Sequence, residues 1–127
     1  MDNLLSSIGY IFTGLPFFLL FIGVFSGIIV GSIPGLTTTM LITLTLPLTF
    51  FMEPVNAITM LVGMYVGGIS GSQISATLLR MPGTPASIMT TFDGYPMSQQ
   101  GKSERALGLG IYASFIGGII SWVFLAL

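Results

Sequence analysis

Phe17-Phe18-Leu19-Leu20-Phe21-Ile22-Gly23-Val24-Phe25-Ser26-Gly27-Ile28-Ile29-Val30 is apolar on every side, whether its side chains are projected at helical or at strand spacing. Outward from this run the pattern persists, because no charged residue stands between Asn3 and Met52, and none between Ala106 and Leu127. A helix crossing a bilayer needs about 20 mostly apolar residues, and both stretches exceed that. Charged residues make up 6% of the chain and hydrophobic ones 53%, against about 25% charged in an average soluble protein. A barrel strand alternates polar and apolar positions over roughly ten residues, which Phe17 to Val30 does not do. In lipid a backbone must pair its own polar groups, so the sequence predicts an all-α integral membrane protein.

The charged side chains are Asp2, Glu53, Arg80, Asp93, Lys102, Glu104 and Arg105, for a net charge of −1, and that balance argues against a nucleic-acid or anionic-surface partner. Cysteine and histidine are both missing, which removes thiol nucleophiles, disulfides and the usual zinc ligands. Met1-Asp2-Asn3-Leu4-Leu5 lacks a basic leader region, so the first helix is expected to stay in the membrane.

Four polytopic helices are expected, over about residues 10–31, 36–51, 55–79 and 106–127, treated as one membrane unit over 1–127. Proline cannot continue a helical ladder and glycine permits a turn, so Pro34-Gly35 and Pro82-Gly83 are breaks. The 36–51 segment reaches roughly 24 Å at about 1.5 Å per residue. It therefore crosses a thinned bilayer or forms half of a re-entrant hairpin. Glu53-Pro54 has the composition of a helix start. Thr84-Pro85 is expected to open a short helix through Thr91, and Asp93-Gly94-Tyr95-Pro96 to form a turn. Residues 93–105 are then a polar loop, placed on the cytoplasmic side by Lys102 and Arg105.

Gly23, Gly27, Gly31 and Gly35 recur every four residues, as do Gly63, Gly67 and Gly71, and Gly110, Ser114 and Gly118 repeat the theme. Such small-residue ridges let transmembrane helices approach closely, and helix packing is assigned to them ahead of a homodimer contact or a substrate groove. The second half of the third helix carries Ser70, Ser72, Gln73, Ser75 and Thr77, so it is expected to face protein or water.

The two breaks are each followed by hydroxyl residues, Thr37, Thr38 and Thr39 after the first and Thr84 and Ser87 after the second. Broken helices at membrane depth can offer half-helix N-termini to an anion and unwound carbonyls to a coupling ion. The plainer alternative is that each Pro-Gly pair ends a helix at the interface. Arg80 either snorkels to headgroups or adds a cation to the site. Asp93 is a sodium or proton ligand or the first residue of its turn. No nucleophile and base are credibly paired, Ser87 and Asp93 included, so no enzyme is expected and no catalytic residue, metal centre or cofactor is assigned.

Gly31-Ser32-Ile33-Pro34-Gly35 and, above all, the run Met81-Pro82-Gly83-Thr84-Pro85-Ala86-Ser87-Ile88-Met89-Thr90-Thr91-Phe92-Asp93-Gly94-Tyr95-Pro96-Met97, followed by Gly101 and Arg105-Ala106-Leu107-Gly108-Leu109, resemble the large membrane subunit of the tripartite tricarboxylate transporters, the TctA family. The resemblance spans essentially the whole chain. It implies a multi-pass permease of the bacterial inner membrane that takes up citrate-like carboxylates by secondary active transport on a sodium or proton gradient. It also implies two partners, a small membrane subunit and a periplasmic substrate-binding protein. Family members commonly carry asparagine where this chain has Arg80. They are several times longer and built from two related halves in an inverted repeat, so this chain corresponds to the start of the first. Carried over by position, Pro34, Gly35, Thr37 and Thr38 in the first motif, with Pro82, Gly83, Thr84, Pro85, Ala86 and Ser87 in the second, line the substrate path, and glycine at 35 and 83 allows close backbone approach. The alternative is a short membrane subunit or oligomeric pore without transport activity of its own.

Overall fold

The computed structural model describes residues 5, 6, 8, 9, 12 and 14–127; the expected helix start at Tyr10 and residues 1–4 lie outside them. The described elements are helical: α1 Leu15–Ser32, α2 Thr38–Thr49, α3 Pro54–Leu79, a 3-10 turn Pro85–Ser87, α4 Thr90–Gln99 and α5 Ser103–Ala126. Three of them, α1, α3 and α5, are long and apolar enough to cross a membrane.

The glycine ladders set the core. A Cβ on Gly23 would fall on the Met60 carbonyl, one on Gly27 on that of Met64, and one on Gly31 on that of Gly68. From the other side, Gly67 abuts Val24 and Gly71 abuts Ile28. Residue numbers rise together along both helices, so α1 and α3 run parallel, backbone against backbone. Without a hydrophobic drive in lipid, this close contact is what dispersion needs to hold the pair. Met60 and Met64 are buried in the seam, whereas Phe17, Phe18, Phe21 and Phe25 are exposed along α1, as a lipid-facing stripe is.

Depth follows from these registers. Thr38, the first residue of α2, packs its side chain on Gly68, and only residues 50–53 separate α2 from the start of α3. Hence α2 runs back toward Pro54, and α1 with α2 forms a hairpin whose tip is the Pro34-Gly35 break. On the other side the chain leaves α3 at Leu79 and folds back. Ser72 hydrogen-bonds both Thr84 and Ser87. The chain then runs outward again, with Gly94 against Thr77 and Tyr95 beside Arg80. Residues 81–99 are thus a second hairpin, folding back along α3 from its Arg80 end. Gln73 Nε2 donates to Ser114 Oγ at 3.2 Å, and Leu107 shares a cavity wall with Thr77, so α5 is antiparallel to α3. At about 1.5 Å per residue, Ser72 lies about 27 Å from the Pro54 end of α3 and about 12 Å from its Arg80 end. The two tips meet partway along α3, the helix long and apolar enough to cross a membrane.

Several local expectations change. The expected loop over 93–105 is α4 as far as Gln99, a turn with Gly101 at φ 79°, and α5 from Ser103 onward. Asp93-Gly94-Tyr95-Pro96 stays helical because Thr91 and Gly94 are buried, Gly94 against Thr77, and packing overrides weak propensity. The helix expected from Thr84 through Thr91 is divided into the 3-10 turn and the first residues of α4. Leu15 and Lys102 lie at opposite ends of the bundle.

Arg80 ends α3 in the left-handed region, φ 56°, a conformation that costs a side-chain-bearing residue roughly 1–2 kcal/mol. Its guanidinium sits 5.7 Å over the Tyr95 ring, an attraction of about 0.5–1 kcal/mol at an exposed site. The two effects oppose each other in Arg80→Gly, which is expected to change stability by less than about 1 kcal/mol. Arg80→Val keeps the strain and loses the ring contact, and should cost about 1–2 kcal/mol in parallel thermal melts.

Candidate functional site

At the first tip, Pro34 has no N–H to give and Gly35 turns the chain at φ 88°. A Cβ there would meet nothing within 4 Å, so it is the turn, and no neighbour within the chain, that calls for glycine here. Thr37 caps α2, its Oγ1 accepting the Met40 N–H at 3.2 Å. Thr38 follows with 3% of its surface exposed, and its Oγ1 has no hydrogen-bond partner.

At the second tip, three hydroxyls interlock. Ser72 Oγ donates to Ser87 Oγ at 2.7 Å, and Ser87 Oγ donates to the Thr84 carbonyl at 2.8 Å. Thr84 Oγ1 lies 2.9 Å from Ser72 Oγ and 3.2 Å from Ser87 Oγ. With the Ser72 and Ser87 protons so committed, the Thr84 proton closes the ring. Ser87 also accepts the Thr84 N–H at 3.3 Å. This cluster pins the hairpin to α3 within a largely buried setting, where satisfied polar networks rigidify a fold.

Between the tips lies a cavity of about 320 Å³ lined by Thr38, Thr39, Tyr65, Ile69, Thr84, Pro85 and Ala86. Thr38, Thr84, Pro85 and Ala86 of the expected residues therefore share one wall. Pro34, Gly35 and Pro82 are exposed beside it, Thr37 caps the helix, and Ser87 is buried behind it with its hydroxyl committed. Gly83 is half-buried, and a Cβ on it would sit 3.3 Å from Ser72 Cβ. Motif reading did not assign Thr39, Tyr65 and Ile69 to the site. Their one signal is that Tyr65 is the sole aromatic residue in α3 and stands three residues before Gly68, where Thr38 docks.

No charged side chain lines the cavity. The N-terminus of α2 points its unpaired amides at it, and the helix dipole there favours negative charge. Arg80 stands a further two turns along α3, over Tyr95. Asp93 is in the first turn of α4 and lines a separate cleft of about 330 Å³ between α4 and α5.

The chain is 37% identical over 107 residues to an uncharacterized 52.8 kDa protein encoded in the 3' region of ttuC' in TAR-I of Agrobacterium vitis, a match covering 84% of the chain and 21% of that protein. The chain thus spans about a fifth of the length of this curated relative. No solved structure matches. The family model of the tripartite tricarboxylate transporter TctA family matches residues 17–127, and the chain, an all-helical membrane protein, belongs to that family.

Proposed function

We propose that this chain supplies the first pair of opposed hairpin tips of a carboxylate permease, and that the cavity between them takes one carboxylate group of a tricarboxylate or a related acid. Thr38 carries the proposal: it lines the cavity at the N-terminus of α2, is 3% exposed, and its hydroxyl, lying against Gly68, has no hydrogen-bond partner. A buried unpaired hydroxyl costs about 1–3 kcal/mol, and a carboxylate oxygen accepting from it and from the α2 amides would recover that cost. Uptake by secondary active transport across the bacterial inner membrane, coupled to sodium or protons, belongs to the longer permease with its small membrane subunit and periplasmic binding protein.

Thr38→Val keeps the side-chain shape and removes the hydroxyl. It is expected to raise the melting stability of the unliganded chain by about 1 kcal/mol while weakening citrate binding about tenfold or more. Calorimetric titration in lipid nanodiscs checks the second effect; equal affinity in both proteins removes the site assignment. In the complete permease, Gly83→Val should abolish uptake with membrane insertion intact, since its methyls would press on Ser72 and the first tip.

A further inference from the structure

The cavity between the tips has two unlike sides. On the α2 side Thr38 and Thr39 line it, at a helix N-terminus whose amides suit one carboxylate. The other side is made by Tyr65 and Ile69 of α3 with Thr84, Pro85 and Ala86 of the second tip. Ile69, Pro85 and Ala86 carry no side-chain donor, and the Thr84 proton is committed to the ring with Ser72 and Ser87. Tyr65 is therefore the one free side-chain donor on that side. Among the described residues its hydroxyl has no hydrogen-bond partner, and the residue is 55% exposed.

The position of Tyr65 along α3 matters twice. It lies about 17 Å from the Pro54 end of the helix and about 21 Å from the Leu79 end, near the middle of a candidate membrane span. Tyrosine is enriched instead at the two membrane interfaces, where its hydroxyl meets water, so near mid-span the polar surroundings it needs are those of the cavity. Thr38 packs on Gly68, one turn or about 4.5 Å further along the axis. Helical side chains lean toward the helix N-terminus, which carries the phenol away from Thr38. A molecule that engages both must hold two polar groups apart on one short carbon chain.

We propose that Tyr65 determines the specificity of this cavity: its phenol donates to a second carboxylate of an acid whose first carboxylate lies at the α2 N-terminus, which selects di- and tricarboxylates over monocarboxylates. The proposal rests on the carboxylate reading and adds a residue and a selection rule to it. A hydroxyl donating to a carboxylate makes a short, charge-assisted bond. A neutral donor also leaves no unpaired charge behind when the cavity is empty.

The test titrates citrate and acetate into the chain in lipid nanodiscs, citrate followed by calorimetry and acetate by saturation-transfer NMR. Tyr65→Phe keeps the ring and is expected to weaken citrate about tenfold or more, with acetate affinity and melting temperature unchanged. Tyr112→Phe, on α5 and outside this cavity, should leave citrate affinity as it is. Citrate should also shift the near-ultraviolet tyrosine absorption of the unmodified chain and of Tyr112→Phe, and not that of Tyr65→Phe. That signature tests the proposal in the unmodified chain even where a variant fails to fold. Equal citrate affinity in Tyr65→Phe, or an equal loss of citrate and acetate, overturns the proposal. Citrate binding that falls in Thr38→Val and survives in Tyr65→Phe removes the role of Tyr65 alone, whereas an unmodified chain that binds neither acid removes the carboxylate reading itself.

Discussion

Gly67→Val is expected to cost more than about 4 kcal/mol, a loss confined to a few drastic mechanisms. A Cβ at this position would fall on the Val24 carbonyl oxygen and lie 2.9 Å from both Val24 C and Cα. These are backbone atoms of a helix, so no rotamer change relieves the overlap. The helices must separate by the depth of a side chain, which breaks the contacts of Gly23, Gly27, Gly31, Gly63 and Gly71 together. Because lipid competes for every apolar surface so exposed, no hydrophobic term pulls the pair back. The melting transition in mild detergent should shift strongly or vanish. Gly117→Val, on the bare flank of α5, should leave it in place. A Gly67→Val protein that melts with the unmodified chain would mean that α1 and α3 do not pack through their ladders.

The second large effect is expected at Ser72, fully buried and bonded to both Thr84 and Ser87. Ser72→Leu removes the hydroxyl from the ring and inserts a side chain where Gly83 and the second tip lie. Overpacking of this kind typically costs 1–3 kcal/mol, and two broken buried hydrogen bonds add to it. The hairpin 81–99 should then open while the α1 to α3 seam, which does not use Ser72, holds. The chain has no cysteine, so a single cysteine in place of Thr91, buried within the hairpin at 8% exposure, reports this directly. Its reaction with a membrane-impermeant maleimide should accelerate by about tenfold or more, the factor that about 1.4 kcal/mol of lost tip stability implies. Ser72→Ala should accelerate it less, because Thr84 Oγ1 retains Ser87 Oγ at 3.2 Å. An unchanged rate in Ser72→Leu would detach the hydroxyl ring from the position of the tip.

How much of this was legible beforehand varies by element. The uncharged spans and the four-residue glycine spacing announce helices in lipid and their packing, since both follow from local composition. The turn at Gly35 was legible too, because proline followed by glycine stops a helix and permits the positive φ found there. What could not be read was depth. Whether Pro34-Gly35 and Pro82-Gly83 meet depends on the parallel register of α1 with α3, a tertiary fact no spacing encodes. For the same reason Tyr65 and Ile69 went unassigned, and Asp93-Gly94-Tyr95-Pro96, a turn by composition, became helix under the burial of Gly94. The asparagine that the resemblance placed at position 80 also gains a meaning: that residue is left-handed, and asparagine adopts the conformation more readily than arginine does.

The meeting of the tips inside the span also exposes them to the membrane potential. From the Arg80 end to Ser72 is about a third of the length of α3. A single charge travelling from that face to the tips therefore crosses about a third of the field, worth about 0.8 kcal/mol at 100 mV, or about fourfold in occupancy. A trianion would carry three such charges over that distance and a dianion two, so the protonation state in which a polycarboxylate enters would set the steepness with which voltage acts on its loading.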